Sequence, residues 1–467
     1  MELTDVISLK PSVSSEWSIR GTVEKPRLFN RVTMDTIILG NMEIVGYIKL
    51  CNGLRTLSDI SSITGESINI VYEFYKKFVD ERVILYDGEE REIDIHLGEK
   101  EPWLKEVHID ITSACNLRCR HCFWGEKIGN CVTVPFEKWR KLIHDISEAG
   151  VGKVILSGGE FFTSIDASEF VYEIVRNKLA LAAIFTNGTI WDSNVERILD
   201  FIVANNLTTT FYVSLDGRND EEHGFIRGKG NYDKTMLFVR KLIEYRTYKK
   251  AKYSVVINSL IHKRNCDDLI GWYNQLEEIG VDRWRFTTGR IAGGLKENQL
   301  EIQVRMNDIY EEYIKLIKYV SNLYEMNKLH MDINIESFFS SYMLKEKQMF
   351  IFSEDLTICD YKRNGCSIDP LGNMQICTSW QRDKFGNVFE NNIEQLWSSS
   401  DMQKIKGMKI SEIEECRDCE YLKYCGGGCR VEAPSLFQKD EYICDNYKFF
   451  SLKIIPLLRK MGLRETV

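Results

Sequence analysis

The spacing of the cysteines constrains this chain more than any other feature. Cys115, Cys119 and Cys122 form a C-x3-C-x2-C run, while Cys416, Cys419, Cys425 and Cys429 form C-x2-C-x5-C-x3-C, with Cys359, Cys366 and Cys377 ahead of it and Cys444 behind. Most of the 14 cysteines therefore fall in tight groups, a distribution that suits metal binding better than a disulfide scaffold. With 467 residues, 44% of them apolar, the chain can build two to four domain cores without staples. Met1 to Ser8 is mixed and acidic rather than basic then apolar, and no apolar run approaches the ~18 residues of a membrane span. The expectation is a cytoplasmic protein with reduced, metal-bound thiols. A net charge of −8 gives no general attraction for nucleic acid or an anionic membrane, so neither is expected as a partner.

Three regions follow from the pattern along the chain. In residues 1–100, short strand-like runs from Pro26 lead to an apolar segment (Met42 to Leu50), and Thr56-Leu57-Ser58-Asp59 has capping-box form. A helix is expected from Ile68 with Val71, Phe74 and Phe78 on one face, before the strand-like Val83 to Tyr86. This is the layout of a small winged-helix unit, with residues 87–102 as a charged linker. Residues 101–330 alternate apolar runs with amphipathic stretches, the signature of parallel β/α units. Six strands are expected, at Val107 to Ile111, Lys153 to Leu156, Ala182 to Phe185, Thr210 to Leu215, Tyr253 to Leu260 and Arg283 to Thr287. The fold class is thus α/β, an open partial (β/α)6 TIM barrel, since eight units are needed to close one. Residues 331–467 form a bridging segment and a Cys- and Gly-rich region that metal must organise in place of an apolar core.

Cys115, Cys119 and Cys122 follow the first barrel strand, on a loop at the strands' C-terminal end. Three thiolates at this spacing hold three irons of a 4Fe-4S cluster and leave the fourth open, whereas a structural zinc site with the same thiols needs a fourth protein ligand nearby. Here the chain resembles the radical S-adenosylmethionine (SAM) superfamily, over about Glu106 to Arg290. The resemblance implies that SAM chelates the open iron, is cleaved by one electron, and yields a 5'-deoxyadenosyl radical that takes a substrate hydrogen. It implies that Gly158-Gly159-Glu160 binds the SAM amino group, with Phe161 standing where the family often has Pro. It further assigns Ser214 to SAM contact and Arg227 to the SAM carboxylate, a pairing that suits a guanidinium. Thr186-Asn187-Gly188 ends the third strand, and Gly289-Arg290-Ile291 is a weaker match to an adenosine-binding segment.

The C-terminal cysteines resemble the SPASM extension of radical SAM peptide-modifying enzymes. That likeness implies two further 4Fe-4S clusters, three in all: a nearer one on Cys359, Cys366, Cys377 and Cys429, and an outer one on Cys416, Cys419, Cys425 and Cys444. Cys51 and Cys266 read as core residues and Cys131 as a loop thiol. Residues 1–100 resemble a PqqD-like peptide-recognition element, in which a leader peptide adds as an edge strand. Together these resemblances imply a maturase that abstracts hydrogen from a ribosomally made precursor peptide with a leader, drawing electrons from an external donor such as flavodoxin or ferredoxin. The expected product is a Cys thioether crosslink, with a carbon–carbon crosslink as the alternative. An anaerobic sulfatase-maturing enzyme is the second enzyme reading, against which Thr378 stands where that family has a general-base Asp. An iron-sulfur redox sensor binding DNA through the winged helix is the non-enzyme alternative.

Overall fold

The computed structural model describes residues 3–125, 128–129, 134–336, 338–353, 357, 363–380 and 382–466, so Cys131 and Cys359 lie outside the described residues. Near the N-terminus, β1 (Trp17–Gly21), β2 (Pro26–Asn30) and β3 (Thr36–Ile38) form an antiparallel sheet in that order. Three helices follow, α1 (Met42–Leu50), α2 (Leu57–Thr64) and α3 (Ile68–Asp80). Thr56 and Asp59 make the expected capping box on α2, and Gly65 closes it in the left-handed region at φ 74°. On α3, Val71, Tyr72 and Tyr75 are buried, and Phe74 and Phe78 pack half-buried against the same core.

Residues 87–102 are not the free linker that their charge suggests. The Ile19 N–H donates to the Asp94 carbonyl (2.8 Å), and the His96 and Gly98 N–H groups donate to the carbonyls of Ile19 and Gly21 (3.0 and 2.9 Å). The returning chain thus covers the outer edge of β1. Among the described residues, β3 is left as the open edge of this sheet.

All six expected strands are present and parallel: β4 (Glu106–Asp110), β5 (Lys153–Ser157), β6 (Ala180–Thr186), β7 (Thr210–Ser214), β8 (Ser254–Leu260) and β9 (Arg283–Thr287). The sheet extends at both ends, with β10 (Asp332–Ile335) parallel to β9 and β11 (Gly365–Ile368) parallel to β4. Side chains alternate along β7 and β9. On β9, Trp284 and Phe286 enter the apolar layer beneath the helices, where Trp284 meets Trp272 at a ring separation of 4.8 Å. Their neighbours face the barrel lumen.

The N-terminal unit docks where the strands begin. Phe29 packs on Trp103 and Ala180, and Gly152, just before β5, leaves room for its ring. The buried Arg20 pairs with Asp94 (2.7 Å) and donates to the Lys178 carbonyl ahead of β6, while the Thr208 hydroxyl ahead of β7 donates to the Val32 carbonyl. The strands' C-terminal ends, where such barrels carry their chemistry, lie on the face opposite this unit.

Candidate active site

The cysteine loop leaves the end of β4 and is held by backbone. Gly159 N–H donates to the Thr112 carbonyl (2.7 Å) and Glu160 N–H to the Ala114 carbonyl (2.8 Å). A Cβ on Gly159 would lie 2.3 Å from the Ala114 oxygen, and one on Gly158, at φ 153°, 2.6 Å from the Thr112 oxygen. Glycine is therefore required at both positions by the approach of two chains. A second glycine pair does the same from the other side: Gly294 N–H donates to the Cys122 carbonyl (2.8 Å), and a Cβ there would sit 2.6 Å from the Arg120 oxygen. Sequence reasoning missed Gly293-Gly294, whose only signal is the dipeptide itself.

Glu160 lies under this loop, 2% exposed. Its carboxylate accepts from the N–H of Phe162 (3.1 Å) and Asn187 (2.6 Å) and from the Thr186 hydroxyl (2.7 Å), tying the end of β6 to the cysteine loop. Burial pushes its carboxyl above the ordinary range against those three donors. Asn187, given no role from sequence, also points its amide at the Cys115 sulfur (4.0 Å).

Arg227 ends the helix Asp220–Arg227 and is oriented by Asp216, which was given no role from sequence. Its Nε donates to Asp216 Oδ2 at 2.6 Å, and its Nη1 lies 3.8 Å from the Cys119 sulfur. Asp216 is fully buried and its other oxygen accepts from Leu260 N–H (2.7 Å). Burial opposes its ionisation, but Arg227 and the nearby His121 and His223 hold the carboxyl down to about 2. Ser214, the last residue of β7, faces the lumen beside these groups.

The three thiols of the loop are unpaired, and burial pushes Cys119 up to about 11 and raises Cys115 and Cys122. Such thiols give up their protons to a metal, and the guanidinium beside Cys119 meets the resulting charge. The donor set fits a cluster with one iron left free. In the C-terminal region, Cys416, Cys419, Cys425 and Cys444 line one cavity with Gly427 and Gly428. Gly426, Gly427 and Gly428 all take positive φ (57°, 77° and 77°), which curls the chain between Cys425 and Cys429 as no L-side chain would allow cheaply. This set also fits a cluster. The other set is not assembled by the described residues: Cys359 lies outside them, and Cys366 shares the register of Val107 on β4, which turns its thiol to the apolar core face. Cys377 follows the strand Met374–Gln375, and Cys429 donates its N–H to Asp440 (3.1 Å).

Two carboxylates at the strand ends also escaped the sequence. Glu336, directly after β10, accepts from the Thr288 N–H and hydroxyl (2.6 and 2.7 Å), and Tyr442 in turn donates to that hydroxyl (3.0 Å). Glu432 accepts from Ile291 N–H (2.5 Å) and lies 3.6 Å from Arg290. Burial raises both, Glu432 to about 7. These contacts seat the C-terminal region over the rim of the barrel.

A family model described as the radical SAM superfamily matches residues 109–276, and a SPASM model, described as an iron-sulfur cluster-binding domain, matches residues 359–420. The chain carries a radical SAM domain and, after it, a SPASM domain. This enzyme is 24% identical to mycofactocin maturase MftC of Mycolicibacterium smegmatis, over 68% of this chain and 76% of that one. It is 21% identical to the antilisterial bacteriocin subtilosin biosynthesis protein AlbA of Bacillus subtilis, over 68% and 65% of the two chains. Streptococcus suis SuiB bound to precursor peptide SuiA has the same fold, with a TM-score of 0.65 at 16% identity over 93% of this chain and 99% of that one.

The Asp216–Arg227 pair gives a stability prediction for the radical SAM domain. Arg227→Ala strands a buried carboxylate and is expected to cost about 3–5 kcal/mol in denaturant unfolding, most of it recovered when Asp216→Asn is added. A loss below about 1 kcal/mol would mean that the pair is not desolvated.

Proposed function

We propose that this radical SAM/SPASM enzyme abstracts hydrogen from a ribosomally made precursor peptide and installs a crosslink, a Cys thioether first and a carbon–carbon bond next. The observation that carries the reading is the open β3 edge in the N-terminal sheet, beside α3 with its half-buried Phe74 and Phe78, on an enzyme whose relatives are named as a mycofactocin maturase and a bacteriocin subtilosin biosynthesis protein. An extended leader would pair with that edge through its main chain. In this reading residues 1–100 recognise the leader, residues 101–330 carry the SAM chemistry and residues 331–467 the auxiliary clusters. Cys115, Cys119 and Cys122 would hold the SAM cluster, with Gly158, Gly159, Glu160, Ser214 and Arg227 about SAM. Cys416, Cys419, Cys425 and Cys444 would hold the outer auxiliary cluster, and Cys359, Cys377 and Cys429 the nearer one, with Cys366 completing that set only when its thiol turns from the core face. When bound, these groups supply a carbon radical strong enough to take hydrogen from an unactivated C–H bond. The chain itself fixes the cysteine loop through Gly158, Gly159 and Gly294, holds Cys119 with Arg227, and keeps the β6 end in place with Glu160. A small electron carrier, flavodoxin or ferredoxin, is the expected donor. No helix among the described residues is long and apolar enough to cross a membrane.

The test is anaerobic incubation of reconstituted enzyme with SAM, dithionite and the small peptides encoded beside it, followed by mass spectrometry. The crosslinked peptide should lose one pair of hydrogens per bond formed. Resistance of a cysteine to alkylation marks a thioether, and full alkylation a carbon–carbon bond. Thr378, half-buried in the turn after Cys377, separates this from the sulfatase-maturing reading. Thr378→Ala is expected to keep most of the turnover, because a hydroxyl takes no proton at neutral pH. A loss of about a hundredfold would restore a proton-transfer role at that position.

A further inference from the structure

The inner wall of the barrel carries a row of polar side chains, of which only Ser214 has been given a role above. Because Trp284 and Phe286 enter the core, where Phe286 packs on Tyr313 at 5.8 Å, Arg285 between them is turned to the lumen. Parallel register puts Asn258 of β8 on one side of it and Asn334 of β10 on the other, and Ser214 of β7 beyond Asn258. None of these four side chains has a hydrogen-bond or ion-pair partner among the described residues. The other lumen-side arginine of β9, Arg283, does have one, in Asp332.

Arg285 is half-buried as a residue, and its guanidinium presents five donors and no acceptor, so an anion is the partner that suits it. Flanking amides add donors on either side, which suits a planar anion with four lone-pair sites. Depth argues in the same direction: Ser214 ends its strand, and Arg285 is two residues short of Thr287, so the row lies within about 7 Å of the rim where the cysteine loop and the SAM motifs sit.

We propose that Arg285, flanked by Asn258 and Asn334, binds a carboxylate of the substrate and so fixes which residue lies against the SAM site. The proposal rests on the peptide reading above, in which the only carboxylates are Asp and Glu side chains and the C-terminus. It makes an acidic residue or the terminal carboxylate, close to the modified position, a requirement of the precursor.

The test measures modification of the precursor by wild-type enzyme and Arg285→Gln, and SAM affinity by titration. Removing a charge-assisted pair should lower kcat/KM for the precursor by about ten- to a hundredfold, with the SAM dissociation constant unchanged and Arg285→Lys intermediate. A second arm needs no enzyme variant: precursors with each acidic residue replaced by its amide, and one with an amidated C-terminus, are given to wild-type enzyme. One of them should lose the same factor and be indifferent to Arg285→Gln, which also tells a side chain from the terminus. Weakened SAM binding in Arg285→Gln would assign the row to SAM and overturn the proposal, as would equal processing of every amide peptide. If wild-type enzyme cleaves SAM but modifies no peptide, the peptide reading itself falls and takes this subsite with it.

Discussion

Replacing Cys115, Cys119 and Cys122 together by alanine is expected to abolish SAM cleavage while leaving the iron of the C-terminal domain in place. Under the three-cluster proposal the wild-type chain binds about twelve irons and the triple variant about eight, read by iron assay and by electron paramagnetic resonance of the dithionite-reduced protein. The structure gives a reason for the independence. Met408, Ile410, Ile413, Cys416 and Leu422 form an apolar cluster of their own, and the cavity lined by Cys416, Cys419, Cys425 and Cys444 is closed by Gly427, Gly428 and the helix Glu441–Lys453 rather than by the cysteine loop. Loss of all iron in the triple variant would mean instead that the two regions fold as one unit around their metals. Retained SAM cleavage would overturn the assignment of the loop.

The second large effect belongs to the β3 edge. Leu39 N–H donates to the Pro26 carbonyl and Asn30 N–H to the Asp35 carbonyl, so Ile37 bonds inward to β2 while the N–H groups of Thr36 and Ile38 point out along the open edge. Proline at those two positions removes the outward donors without breaking the ladder to β2. Ile38→Pro is expected to weaken leader binding about tenfold and the Thr36→Pro/Ile38→Pro pair about a hundredfold, each lost bond leaving a leader carbonyl unpaired. Fluorescence anisotropy with a labelled leader peptide measures this directly, with a thermal melt to verify that the sheet survives. Wild-type affinity in the double variant would remove β3 as the docking edge. Point substitution is preferred to deleting the N-terminal unit, because Phe29, Arg20 and Val32 hold the barrel's underside and their loss would expose Trp103 and Ala180.

Much of the site was legible because its chemistry is local. The C-x3-C-x2-C run, Gly158-Gly159-Glu160 and the six apolar runs are set by spacing within a few residues, and β9 matches its expected bounds (Arg283–Thr287). Less legible were β10 and β11: Asp332 and Asn334 alternate with isoleucines over four residues, too short for periodicity to separate a strand from a loop. Residues 87–102 read as a linker because they are charged, yet Asp94, His96 and Gly98 pair through backbone, which composition does not report.

The sequence by itself determined the cofactor class, the six parallel strands and the grouping of the cysteines along the chain, since metal-ligand spacing and hydrophobic period are written in consecutive residues. Only the tertiary structure decided what the charged groups do. Asp216 and Arg227 are 11 positions apart and become a buried pair behind Cys119. Arg285, Asn258 and Asn334 come from three strands and become neighbours through parallel register. Glu432 reaches Ile291 across 141 positions. An ionisable side chain is given its role by its partners and its dielectric, and in an α/β barrel both come from other strands.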